Sequence, residues 1–204
     1  MAVVTCQQLF ERLHMRDVHP APPLFVGNDL ALDFINTCYG PPGAPEDVLV
    51  DDASVLHWLA SAGVLADDAV PVAPGLLALA IALRQEAGDA LAAARSGVPF
   101  QTPVVNRILE EGRPVLRLEA ASGVPRLLQQ RRDGSAGSLL EPVAAAFARL
   151  LSEGDLAHVR KCEAHDCTLL FHDTTKSRRR RWCSMAQCGN RMKVAAFRSR
   201  RQPH

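Results

Sequence analysis

Four cysteines near the end of this 204-residue chain limit its fold more than any other feature. They fall as Cys162-x4-Cys167 and Cys183-x4-Cys188, with fifteen residues between the pairs. Two close pairs on a connector of that length can set four thiolates tetrahedrally around one Zn2+ and close the site to water. The bland reading is four free buried thiols. His165, inside the first pair, is the one nearby side chain that could substitute for a sulfur. A module this small has little apolar surface, so the metal would supply much of its folding free energy, with apparent values of about 10–16 kcal/mol for structural sites.

The ligands sit among cations. The connector carries Lys176 and the run Arg178, Arg179, Arg180 and Arg181, and the tail adds Arg191, Lys193, Arg198, Arg200 and Arg201. From Asp155 onward there are twelve Lys/Arg against four acids, a net of +8; the whole chain is +1, so the remainder is −7. An acidic body with a basic tail is the expected charge pattern of a chain that offers phosphate one binding face. After Cys183, Ser184 can cap a helix to about Arg200. At 100° per residue it places Met185, Cys188, Met192, Ala195 and Ala196 on one face and Phe197 on the far side.

The remaining residues predict a mainly helical α+β body with a β-hairpin. Residues 1–23 end in a proline-rich segment and read as a flexible lead-in; 24–154 read as the body, and 155–204 as a small four-cysteine zinc module. Leu30, Phe34 and Thr37 have helical spacing behind Asn28 as N-cap, and Asp51 or Asp52 can cap the helix that carries Val55, Trp58 and Leu59. A long helix spans Leu76 to Ala94 behind Pro74, and Thr102-Pro103 opens another. Strands at 115–118 and 124–128 flank a turn, and 141–151 is amphipathic. Asp33, Asn36 and Trp58 are candidates to line a ligand pocket, against a plainer reading as caps, internal hydrogen bonds and core. Cys38 with His57 lacks a third orienting group, so no catalysis is expected.

Residues 1–30 lack the continuous apolar segment of a secretory signal, and the longest apolar run, Leu76 to Leu83, is too short to cross a membrane. A cytoplasmic protein is expected, its cysteines serving as metal ligands and spare thiols.

The run Arg180-Arg181-Trp182-Cys183-Ser184-Met185-x-x-Cys188-Gly189-Asn190-Arg191-x-Lys193 resembles the CGNR zinc-finger family, as does the Phe171-x-Asp173 step. Upstream, Leu30-Ala-Leu32-Asp33-Phe34-Ile35-Asn36-Thr37 resembles the start of the ABATE domain that precedes such fingers. The resemblance implies a bacterial transcription regulator with one Zn2+ per chain and a finger that binds double-stranded DNA. The body would then be an effector-sensing or dimerisation domain, with a small-molecule effector and a homodimer on two half-sites as expectations. Arg178, Arg179, Arg180, Arg181, Arg191, Lys193, Arg198 and Arg200 would meet phosphate, with Asn190 and Arg191 also the candidates for base edges. The alternatives are a zinc-stabilised protein-interaction module, using Phe197 and Met192, or an RNA-binding factor.

Overall fold

Helix boundaries in the computed structural model, which describes residues 20–41, 43–65, 71–120 and 123–201, follow local capping chemistry. Helix α1 (Leu30–Ile35) is capped by Asp29, whose carboxylate accepts from the N–H groups of Ala31 and Leu32. Asn28 is not the cap. It adopts a left-handed conformation, φ 58°, and its side-chain amide donates to the carbonyl oxygen of His172. A short hairpin follows, β1 (Cys38–Tyr39) with β2 (Glu46–Asp47). Cys38 is disulfide-bonded, which corrects its reading as a spare thiol. Helix α2 (Asp52–Ser61) begins with a reciprocal capping box between Asp51 and Ser54.

Helix α3 (Leu76–Arg95) starts two residues after Pro74, behind Gly75 in the left-handed region. At α4 (Pro103–Glu111) Thr102 makes no side-chain cap; the Glu86 carboxylate on α3 takes the N–H groups of Val104 and Val105 instead. That bond joins two helices and places an anion at a helix N-terminus. Strands β3 (Val115–Glu119) and β4 (Arg126–Gln130) pair antiparallel with Leu118 opposite Leu127, around a turn whose residues 121 and 122 lie outside those described. Helix α5 (Ala136–Glu153) starts five residues before the predicted 141, because Ser135 caps it at Ser138 and Pro142 is accommodated in the second turn. A side chain on Gly112 would meet the Gly137 carbonyl oxygen at 2.4 Å, so glycine there lets the end of α4 abut α5.

The last elements are the hairpin of β5 (Val159–Lys161) and β6 (Leu170–His172), then α6 (Asn190–Arg201). A wide π-type turn, Met185–Gly189, precedes α6, with Ser184 capping it as predicted. The extra residue in that turn breaks the 100° register on which the predicted face depended. Cys188 is buried and Met192 half-buried, while Met185, Ala195 and Ala196 are exposed.

Contacts divide the described residues into two compact units, one within 51–154 and one made of 20–50 with 155–201. The helical unit buries Val55, Trp58, Leu76, Leu83, Leu91, Ile108, Leu139 and Phe147 almost completely. Each such side chain contributes about 1.5–3 kcal/mol through area removed from water. In the other unit, residues 20–50 join the cysteine module, although the sequence groups 24–50 with the body. Among the described residues no helix is long and apolar enough to cross a membrane.

Candidate metal centre and basic surface

The sulfurs of Cys162, Cys167, Cys183 and Cys188 all lie within 4.8 Å of one another. A tetrahedral zinc with bonds of about 2.3 Å requires sulfur–sulfur edges of about 3.8 Å. Cys167 Sγ lies 3.8 Å from Cys183 Sγ, which lies 3.5 Å from Cys188 Sγ. His165 is exposed and stands outside this cluster. The β5–β6 hairpin supplies the first pair, closed by Cys162 N–H donating to the Leu169 carbonyl oxygen. The turn before α6 supplies the second, and Cys183 N–H donates to Cys162 Sγ at 3.3 Å.

Bare thiols in this cluster cannot all ionise. The hydrogen bond with Cys183 holds Cys167 down to about 5, whereas Cys183 is pushed far up by that same bond and by burial. Burial, with the neighbouring thiolates, pushes Cys188 up to about 11. A divalent cation relieves this crowding by letting every thiol shed its proton. The donor set and spacing fit one zinc.

Side chains around the cluster hold it from several directions. Arg191 Nη2 donates to Asp166 Oδ1 at 2.8 Å and to Cys188 Sγ at 3.4 Å, tying α6 to the loop inside the first pair. A side chain on Gly189 would meet Met185 Sδ at 2.6 Å and Trp182 Cδ1 at 3.2 Å, so any larger residue there would push the flexible Met185 side chain aside and crowd Trp182. Asp173 is fully buried. Burial pushes its pKa up, but bonds from Thr175 and from the Arg180 N–H outweigh it and hold it at about 2. Its backbone carbonyl accepts from Arg178 Nη1. The basic connector is thus wound around one carboxylate.

The N-terminal segment docks on the same hairpin. Asn36 Nδ2 donates to the Leu170 carbonyl oxygen and Asn36 Oδ1 accepts from Leu170 N–H, both at 2.8 Å. His172 N–H donates to the Gly27 carbonyl oxygen at 2.7 Å, and Arg180 Nη2 to that of Val26 at 2.8 Å. Leu24, Val26 and Tyr39 pack against the cysteine cluster with Trp182 and Met192. Asp33 accepts from Gly27 N–H at 2.7 Å, and burial pushes its pKa up to about 6.

Family models match both parts. The family described as "Putative stress-induced transcription regulator" (ABATE) covers residues 28–154, and the CGNR zinc finger covers residues 158–201. The chain belongs to the ABATE family. No curated protein matches it.

In this ABATE protein the residues predicted to meet DNA fall into two sets. Arg180 donates to three backbone carbonyls, those of Val26, Trp182 and Cys183, and lies 4.2 Å from the centre of the Phe171 ring. Arg181 pairs with Glu163 at 2.6 Å, and Arg178 and Arg191 are held as described. Arg179, Asn190, Lys193 and Arg198 are exposed and make no side-chain hydrogen bond or ion pair among the described residues. The side chain of Arg200 lies outside those residues.

The three candidate pocket residues follow the plainer of their two readings, internal hydrogen bonds and core. Asp33 and Asn36 bond to the backbone of the zinc unit, and Trp58 is core in the helical unit. That unit has an open cleft of about 470 Å³ lined by Gln85, Glu86, Asp89, Phe100 and Gln101, among others, and by none of the three. Sequence reasoning gave no role to Asp166 or Asp173. For Asp173 the one signal was its place in the Phe171-x-Asp173 step; Asp166, between His165 and Cys167, carried none.

Proposed function

We propose that this ABATE protein is a transcription regulator that binds double-stranded DNA through its zinc unit. One observation carries the reading: Arg179, Asn190, Lys193 and Arg198 stay exposed and without ion pairs among the described residues, while the neighbouring arginines are engaged in structure. Free cations on a metal-braced scaffold are what phosphate contact needs. Arg179, Lys193 and Arg198 are then the phosphate contacts, and Asn190, at the start of α6, is the better candidate for a base edge. Arg191 enters only by giving up Asp166. No catalytic step belongs to this reading, and a cytoplasmic location goes with it.

The test is binding to duplex DNA across a salt series. Changing Arg179, Lys193 and Arg198 together to alanine should lower the slope of log K against log salt by up to about 2.7, from about 0.9 per phosphate contact. Zinc content should stay intact. An unchanged slope rejects the reading. The exposed Val194 and Phe197, three apart on α6, favour a second reading in which α6 docks a protein partner. In that case alanine at Phe197 abolishes partner capture and the triple variant does not. Tighter binding to single-stranded or duplex RNA than to duplex DNA would identify an RNA-binding factor.

A further inference from the structure

The β3–β4 hairpin presents an unusual surface. Every residue of β3 is exposed, and β4 is its one strand partner among the described residues. The register puts Leu116, Leu118 and Leu127 on one face, at 67%, 69% and 65% exposure. Arg117, Glu119 and Arg126 lie on the opposite face. Isolated two-stranded hairpins are marginal in water. A proline immediately precedes each strand, Pro114 before β3 and Pro125 before β4, but within β3, Val-Leu-Arg-Leu-Glu, no proline, glycine or lysine discourages pairing.

The charge order within β3 decides what can pair with it. In an antiparallel pair of identical strands, the residue on the two-fold axis fixes every other partner. With the axis at Arg117 two arginines face each other, and at Glu119 two glutamates do. With the axis at Leu116, Arg117 faces Val115. With the axis at Leu118, Arg117 lies opposite Glu119 of the second copy, and Glu119 lies opposite its Arg117. Leu118 then meets Leu118, and Leu116 meets Ala120. The row Leu127, Leu118, Leu118, Leu127 runs unbroken across the new sheet on one face. On the other, Glu119 lies between Arg126 of its own hairpin and Arg117 of the copy. Arg117 and Glu119 are 3.8 Å apart in the single chain with both side chains well exposed, so they are free to exchange partners.

We propose that β3 pairs with β3 of a second copy about a two-fold axis at Leu118, making a four-stranded antiparallel sheet. The occupant of this edge is the chain itself, chosen by charge complementarity in a single register. The dimer is independent of whether the zinc unit binds DNA.

Charge reversal tests it on the full-length, zinc-loaded protein by sedimentation equilibrium. The wild type should be a dimer at micromolar concentration. Arg117→Glu sets glutamate against glutamate at both positions and Glu119→Arg sets arginine against arginine, so each variant alone should dissociate at least about tenfold more readily. Mixed in equal amounts, the two variants should form a heterodimer, because every cross-strand pair is again opposite in charge. That mixture restores no pair within either strand, so recovery reports the contact between copies. Both positions are exposed, and unchanged circular dichroism and zinc content confirm folding. A monomeric wild type, variants as dimeric as the wild type, or a mixture that stays monomeric would each overturn the proposal.

Discussion

The two compact units are stabilised by different means. The helical unit, residues 51–154, sets alanine- and leucine-rich faces together and closes its helix starts with Asp51, Glu86 and Ser135. The zinc unit has a small core made of four cysteines, Ala164, Leu169 and Phe171, surrounded by bonds from side chains to backbone. Non-directional burial tolerates small shifts. Thiolate and amide geometry does not. The zinc unit should therefore lose its fold sharply when one directional contact is removed, and the helical unit should not register the loss.

Removing the metal is the strongest test of that contrast. Chelation, or serine at any of the four cysteines, should withdraw about 10–16 kcal/mol of apparent binding energy from one unit. Hydrogen exchange read by mass spectrometry should show protection lost in residues 155–201 and in 24–50, and retained in α3 and α5. Retained protection in 24–50 would mean that this segment is held without the finger. Proton release should accompany zinc uptake, since Cys188 begins well above neutrality.

A smaller effect is expected at Asn36. Changing it to leucine keeps the volume and removes two bonds to Leu170, stranding a backbone N–H and carbonyl on β6. The cost should be about 1–3 kcal/mol, seen as faster zinc loss to a chelator, with helical melting unaltered. If melting of the helices shifts as much as zinc loss, the two units are not separable in this way.

The smallest effect concerns Asp33, whose folded pKa, about 6, is above the ordinary 3.8. A carboxyl shifted upward favours the fold while protonated. Its contribution is full below about pH 4 and lost as the pH rises through 6. Relative to Asp33→Asn, the wild-type zinc unit should lose about 1 kcal/mol between pH 5 and 7, after allowance for partial solvent screening. A difference that stays flat across this range would place the Asp33 pKa near its ordinary value.

Much of this was legible in the sequence wherever the cause was local. The cysteine spacing announced the zinc site because both pairs close within a few residues. Asp51, Ser184 and the α3 pattern announced helices for the same reason. What could not be read depended on distant partners. That Asp33 and Asn36 make internal hydrogen bonds was open to reading, but their partners were not: Gly27 for Asp33 and, for Asn36, Leu170, 134 positions away. The pairing of the signature Arg191 with Asp166, 25 positions before it, left no mark in the sequence. The turn before α6 was hidden because a Gly189 N–H reaching back to the Ser184 carbonyl leaves no periodic mark.

The separation of Asn36 from Leu170 also has a consequence for synthesis. A ribosome adding about 5–20 residues per second needs roughly 7–27 seconds to make the chain between them. The whole helical unit emerges during that interval and can fold first. Until β6 appears, the amide of Asn36 and the apolar side of α1 have no partner from the finger. The segment that finishes the zinc unit is thus made first and seated last, its wait fixed by the length of the helical unit inserted between.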